Sequence, residues 1–405
     1  MKLPEKLVTK LTKAHYLQLL VCAIWAVPAV LLMRLLRPIK HIYLLELRSD
    51  RIGHFVPDGG ELVFRYKSGE KFDTTFFYFS HKPVNQQWGK MIKRNIPMHQ
   101  IVMPIGYFNN RIPGGAKHKK YATRTVSRDP HGLFYKSKFA QMNFLESEIS
   151  QCEKWLGSLG LNKNDKFITL IARDDNYLIE FSKYSSSDFK YHQHRNVDIN
   201  SFNDTILYLL EQNFWVFRMG KSMSKPLVLN HPKLIDYAFC KDANDLYEIW
   251  LFANAHFTIS SGTGPDTIPN IYRRPTLFLN MVPLRYLHDY HYTLTVPKRL
   301  SWKKTGLPLT LNEHITHDYT HNELYEKNGI IVEDLTSAEL LEAVKEFWMR
   351  EQGTLPDDPE GSRLQKLFWR RFRKSDKYKL DNNWKHPKSR VGTAWLKSQN
   401  ERFFH

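Results

Sequence analysis

Residues 256–280, HFTISSGTGPDTIPNIYRRPTLFLN, set two apolar runs on either side of Ser261-Gly262-Thr263-Gly264, followed by Pro265 and Asp266. Those residue types at that spacing suit a phosphate. Gly262 and Gly264 leave the backbone open to close approach, Ser261 and Thr263 add hydroxyl donors, and Pro265 is favoured at the first position of a helix. Unpaired N–H groups at a helix start, with the positive end of the dipole behind them, hold an anion such as a diphosphate. A plain strand-to-helix turn also favours glycine, so the loop alone leaves both readings open. Asp266 reads equally as a contact to a ribose or sugar and as a first-turn acid placed for the dipole.

Cations at neighbouring strand ends favour the anion site. Arg173 follows the apolar run 166–171, Arg218 and Gly220 follow the run 214–217, and Arg195 and Asp198 lie in a loop entering a helix. Guanidinium forks match phosphate oxygens. Ligands of open parallel sheets sit at the carboxyl ends of the strands, where these residues fall.

A second constellation is RSDRIGH, residues 48–54, with Asp50 the first choice and His54 the second for a general base. Arg48 and Arg51 keep Asp50 ionised but make it a weaker base. His54 has the more suitable intrinsic pKa. The competing reading is an Arg–Asp–Arg ion cluster that only shapes the loop.

Absences narrow the class. The chain has no Gly-x-x-x-x-Gly-Lys-Ser/Thr loop and no Gly-x-Gly-x-x-Gly after its first strand, which argues against P-loop nucleotidases and dinucleotide dehydrogenases. No Asp-x-Asp metal motif occurs. His314, His317 and His321 have the spacing of one helical face, near His288 and His291, and read as a solvated or acceptor-contacting surface with no metal. Cys22, Cys152 and Cys240 lie far apart and read as reduced thiols.

The elements that must position these groups form two series. At 405 residues, 42% apolar and 14% aromatic, the chain is long enough for two domains. In the first, 41–150, HIYLLEL, GELVFRY and DTTFFYFS read as strands, NQQWGKMIKRNI as a helix, 105–140 as loops, and 144–161 as a helix leading out of the domain. In the second, 165–345, KFITLIAR, FWVFRMG and KLIDYAF read as strands alternating with helices at 199–213 and 243–255. TSAELLEAVKEFWMRE, 336–351, opens with a Thr-x-x-Glu capping box and closes the series. Such alternation predicts an α/β chain of two Rossmann-like, doubly wound domains.

Charge is concentrated at the ends. Residues 1–40 carry seven Lys/Arg against Glu5, and 363–405 carry thirteen against three acids, whereas the 322 residues between them are only +2 of the total +18. Nucleic-acid binders spread basic residues over the folded domain, so the expected partner is an anionic membrane surface rather than nucleic acid. YLQLLVCAIWAVPAVLLM, 16–33, lies between Lys2, Lys6, Lys10 and Lys13 on one side and Arg34, Arg37 and Lys40 on the other. It is at the lower length limit for spanning a bilayer, and the two-sided charge gives no orientation. The segment 1–40 is expected to associate with the membrane as a helix lying in, or dipping into, the cytosolic leaflet. The basic segment 363–405 is expected to add to that attraction and to pack toward the first domain.

The run LIDYAFCKDANDLYEIWLFANAHFTISSGTGPDTIPNIYRRPTLFLN resembles the donor-binding half of glycosyltransferases of the GT-B fold. Together with IWAVPAVLLMRLLRP, LRSDRIGHF, YHQHRNVDINSF, FRMG and VPKRL, in that order, it is similar to a bacterial family associated with surface-polysaccharide gene clusters, over roughly residues 24–345. The resemblance implies transfer of a sugar from a nucleotide-diphosphate donor to a hydroxyl of a lipid-linked glycan. It also implies cations and a helix start that offset the leaving diphosphate, and no cofactor or bound metal. The partners implied are a nucleotide sugar, a glycan or glycolipid acceptor and the cytoplasmic face of the inner membrane. A non-catalytic polysaccharide-binding protein or a nucleotide-sugar epimerase on the same fold remains the alternative.

Overall fold

The computed structural model describes residues 13–122, 129, 132–137, 142–174, 176, 193–287, 289–375, 385–399 and 401–404. The chain divides into two units, Met1–Ser127 with Gln141–Asn143 and Arg128–Ala140 with Phe144–His405. Each is α/β with a parallel sheet. The lysines at 2, 6 and 10 and His288 lie outside the described residues.

The first unit opens with helix Lys13–Leu36. Its stretch Leu19–Leu36 has a mean hydropathy of 2.4 and is long and apolar enough to cross a membrane by length and composition. Strands β1 (Tyr43–Leu47), β2 (Thr75–Phe79) and β3 (Lys119–Tyr121) then form a parallel sheet in the order β2-β1-β3. Met33 of the helix joins Leu44, Tyr78 and Val102 in one apolar cluster.

GELVFRY, expected as a strand, is instead the second half of one helix, Ile52–Lys67, which runs straight through Pro57-Asp58-Gly59-Gly60. Locally those four residues are turn formers; packing overrides them. Phe55, Val56, Leu62 and Val63 are wholly buried, and the Trp88 indole donates to the Phe55 carbonyl at 3.2 Å. A Cβ at Gly59 would stand 2.6 Å from Ile92 Cδ1, so this glycine permits the close approach of helix Gln86–Asn95. The stretch 105–140, expected as loops, holds most of helix Val102–Asn109 and all of β3.

In the second unit, β4 (Phe167–Ile171), β5 (Trp215–Arg218), β6 (Leu234–Asp236), β7 (Thr258–Ser260), β8 (Thr276–Met281) and β9 (Thr293–Pro297) follow in chain order. A separate antiparallel pair, β10 (Arg299–Trp302) with β11 (Ile330–Glu333), comes next, and β12 (Arg390–Val391) last. The main sheet is all-parallel with order β12-β9-β8-β7-β4-β5-β6. Its inner strands are buried along their length, as sheets covered on both faces require. The Thr336–Glu339 capping box forms as the sequence indicates and starts helix Ser337–Gln352. Helix Glu146–Ser158, expected to close the first domain, belongs to the second unit, where Trp155 stacks on Tyr247 with ring centroids 4.3 Å apart.

The carboxyl segment also departs from expectation. It is built into the second unit: β12 pairs with β9, and Phe368, Trp369, Phe372, Trp395, Phe403 and Phe404 join the same apolar core as β4, β7 and β8. Several of its charges are used internally. Arg363 pairs with Glu360 and Lys397 with Asp358. Burial, then the charges of Arg373 and Arg390, push the Lys385 amine down to about 8.

Candidate functional site

In the main sheet the chain runs outward from β4 through β5 to β6, then returns to place β7 on the other side of β4. The carboxyl ends of β4 and β7 therefore flank the point where strand order reverses, where open α/β sheets bind ligands. Ser261-Gly262-Thr263-Gly264 follows β7 at that point. Ser261 N donates to the Ile171 carbonyl at 3.1 Å, and Arg173 N donates to Ser261 Oγ at 2.6 Å, so the loops after β7 and β4 are joined.

The loop is shaped largely by Asp266. Its Oδ2 accepts from Ser260 Oγ at 2.7 Å and from Thr263 N at 2.6 Å, while Gly262 N donates to Ser260 Oγ at 3.0 Å. The N–H groups of Ser261, Gly262 and Thr263 are thus satisfied within the protein. The helix that follows is only Thr267–Ile271, after Pro265 and Asp266 rather than starting at the proline, and a single turn sums little dipole. Asp266, expected either at a sugar or as a dipole acid, is instead the buried acceptor that folds the loop. Gly262 has φ +82°, where a side chain would be strained, and its Cβ would lie 2.8 Å from Met281 Sδ. The buried Thr263 hydroxyl has no partner among the described residues.

Cations surround this loop. Arg195 Nη2 donates to the Gly262 carbonyl at 2.8 Å. Lys298, just after β9 and 2% exposed, donates to the Asn196 carbonyl at 3.0 Å and pairs with Asp334. Burial, then the nearby charges of Arg195 and Arg173, hold the Lys298 amine below its ordinary value despite Asp334. Burial raises the Asp266 carboxyl to about 6, against the pull of its two hydrogen bonds and of Arg195 and Arg173. Arg173, Arg195, Lys298 and Asp266 therefore form one electrostatic cluster. Lys298 was not singled out as a site residue from the sequence; its position directly after an apolar run, in VPKRL, was the available signal.

The raised Asp266 pKa has a sign that can be checked. Its folded value lies above the unfolded one, so the contribution to stability is fully present below about pH 4 and is lost as pH rises through about 6. The wild-type chain should lose roughly 3 kcal/mol from this group across that window, and Asp266→Asn should flatten the slope of unfolding free energy against pH. An identical slope in both chains would show that Asp266 does not titrate there.

Other expected donor-site residues are committed elsewhere. Arg218, 2% exposed, bonds Asp236 at 2.9 Å and the Lys225 carbonyl at 3.0 Å, and so fastens β5 to β6 and its loop. Gly220, with φ +155°, lies where a Cβ would meet Met223 Cε at 2.2 Å. It serves the same tight turn. Asp198 is exposed and caps the short 3-10 helix Ile199–Phe202 through Asn200 N at 3.1 Å.

The histidine set does not gather on a solvated face. His314 is buried against the Phe403 ring, and burial takes it down to about 4. His291 is buried beside Thr276 Oγ1 at 3.2 Å, and burial, then His386, takes it to about 3. Among the described residues, no group of three His, Cys, Asp or Glu side chains is placed to hold a metal ion.

In the first unit, a pocket of about 420 Å³ lies at the carboxyl ends of its strands, lined by Glu46, Arg48, Asp50, Asp58, His81 and Lys120 among others. Here too the strand order reverses, with β2 on one side of β1 and β3 on the other. Burial disfavours the Asp50 carboxylate, but the 2.9 Å bond from Arg48 and the charges of Arg48 and His81 outweigh it and hold the pKa below the ordinary range. Burial, then Arg48 and Arg51, holds the His54 imidazole below 6.5, against Asp50. His54 is on helix Ile52–Lys67, not in a loop, one turn before Asp58. Asp58, 7% exposed, lines the pocket and was missed because it falls between RSDRIGH and GELVFRY.

No family model and no curated protein matches the sequence. Among solved structures, the chain is similar to the ADP-heptose LPS heptosyltransferase II of E. coli, with 11% identity, a TM-score of 0.41, and coverage of 77% of this chain and 100% of that one. It is also similar to a glycosyl transferase family 9 protein of Veillonella parvula DSM 2008, with 8% identity, a TM-score of 0.36, and 62% and 85% coverage. A third likeness is to the UDP-GlcNAc 2-epimerase of Methanocaldococcus jannaschii, with 9% identity, a TM-score of 0.26, and 59% and 83% coverage. Likenesses this distant carry no argument about activity.

Proposed function

We propose that the chain is a metal-independent GT-B glycosyltransferase. Its reaction moves a sugar from a nucleotide-diphosphate donor to a hydroxyl of a lipid-linked surface-polysaccharide or lipopolysaccharide glycan. The observation that supports this most is the loop 261–264 at the strand-order reversal, with the buried Thr263 hydroxyl and three cations, Arg173, Arg195 and Lys298, gathered at it. In this reading the cations offset the charge that grows on the diphosphate as the bond to the sugar breaks. The carboxylates and cations of the first-unit pocket hydrogen-bond acceptor hydroxyls, and His54 or Asp50 takes the proton of the attacking one.

Titration calorimetry of the full chain with UDP, GDP, ADP and their sugars tests the donor half. Arg195→Ala should weaken nucleoside-diphosphate affinity ten- to a hundredfold, the effect of losing a charged hydrogen bond of about 1.5–3 kcal/mol. Because Arg195 also holds the Gly262 carbonyl, the affinity is compared at a temperature where circular dichroism shows the variant folded. A wild-type chain that binds no diphosphate ends the reading. Product analysis with acceptor omitted separates transfer from epimerisation, which would alter the nucleotide sugar unaided.

A further inference from the structure

Helix Lys13–Leu36 is apolar on two opposite faces, and only one of them is covered. Ala26, Val30 and Met33, three to four residues apart, are buried, and the helix packs along Val102–Asn109. The other face shows Leu20, Val21, Ile24, Leu31, Leu32 and Leu35 to solvent, with Ile24 77% and Leu35 75% exposed. At 100° per residue these six span an arc of about 120° directly opposite the buried three. An apolar arc of this size along about four turns needs a cover.

The surroundings say which cover fits. Neither 6–45 nor 74–128 contains a single Asp or Glu, while together they carry sixteen Lys/Arg. The second of these segments supplies the helix that packs against the first. Beyond it, the loop carrying Arg111 and Lys117 is tied to the carboxyl end of the apolar helix. Arg34 Nη2 donates to the Ile112 carbonyl at 3.2 Å, and the His41 ring bonds the Lys117 carbonyl at 2.7 Å. Arg37, Lys40, Arg111 and Lys117 are all exposed there. A second copy of so basic a surface would repel the first; an anionic bilayer attracts it.

We propose that this helix and the basic loop tied to its carboxyl end form one monotopic docking site for an anionic bilayer, with the exposed face sunk in the acyl region and the helix lying in the membrane plane. Spanning is disfavoured by the packing itself. A vertical helix would carry Val102–Asn109 and the flanking Gln100 and Asn110 into hydrocarbon, where polar groups are costly. The cationic neighbour of the apolar face within the first unit is thus the loop 111–117. The proposal stands independently of the glycosyl-transfer reading.

Flotation of the full chain with phosphatidylglycerol-containing vesicles and with pure phosphatidylcholine vesicles tests it. Binding should favour the anionic vesicles at least tenfold. Ile24→Glu with Leu31→Glu should reduce the bound fraction at least tenfold, and Arg111→Glu with Lys117→Glu severalfold, with unchanged circular dichroism in each case. In sealed membrane vesicles of known sidedness, a membrane-impermeant amine reagent should label native Lys13 and Lys40 from the same, cytoplasmic, side. Labelling of the two from opposite sides would show a spanning helix and overturn the proposal. So would equal binding to neutral vesicles, or a dimer in sedimentation that the Ile24/Leu31 variant dissolves.

Discussion

Arg218→Ala is expected to cost the second unit about 3–5 kcal/mol of stability, the usual penalty for removing one partner of a buried ion pair. The guanidinium is almost fully enclosed, and its partner Asp236 is only 19% exposed. Asp236 also accepts from Leu227 N at 2.8 Å, so loss of the arginine strands a carboxylate that positions the backbone of the neighbouring loop. Urea unfolding of the full chain measures the loss. The double variant Arg218→Met, Asp236→Leu should recover part of it, because no charge is left uncompensated. An unchanged midpoint combined with weakened nucleotide binding would instead put Arg218 in the ligand site.

His54→Ala should lower turnover at least about a hundredfold while leaving donor affinity intact, the signature of a lost general base. Asp50→Asn should cost less, since the Arg48 bond and neighbouring charges hold its carboxylate at a low pKa and so make it a poor proton acceptor. The pH profile provides a sign. With its pKa pushed below 6.5, the imidazole is neutral and able to accept a proton at pH 7, so the acidic limb of kcat should lie below pH 6.5 and vanish in the variant. Normal turnover in both variants would leave Asp58, on the helix of His54 and lining the pocket with Asp50, as the next carboxylate to replace.

The second sheet was legible because a strand covered on both faces must be apolar throughout. KFITLIAR and FWVFRMG have no other stable use, and the Thr336–Glu339 box announced its own helix. The loop at 261–264 was legible for the same reason, as small residues between two such runs. What the glycines do there was not. Whether loop N–H groups face outward depends on Asp266 folding back on them, and no local pattern encodes that bond. The Arg218–Asp236 bond was equally hidden. An arginine at a strand end looks the same whether it meets a ligand or an aspartate eighteen residues away on the next strand. GELVFRY misled because its strand-like composition is local, whereas the burial of Phe55 and Val63 and the fit of Gly59 against Ile92 are long-range. The carboxyl segment misled because net charge hides aromatic content, and its Phe and Trp residues fill a core begun at residue 168.

That last feature governs how the protein comes off the ribosome. Ile168, Phe257 and Leu277 share a core with Phe403 and Phe404. At about 5–20 residues per second, synthesis leaves Ile168 without Phe403 for roughly 10–50 s. The sheet of the first unit, by contrast, has all its strands once residue 121 has emerged. Nascent chains paused anywhere between residues 170 and 390 therefore carry a finished first sheet and an unclosed second one. Through that window the apolar strands of the second unit are exposed to aggregation.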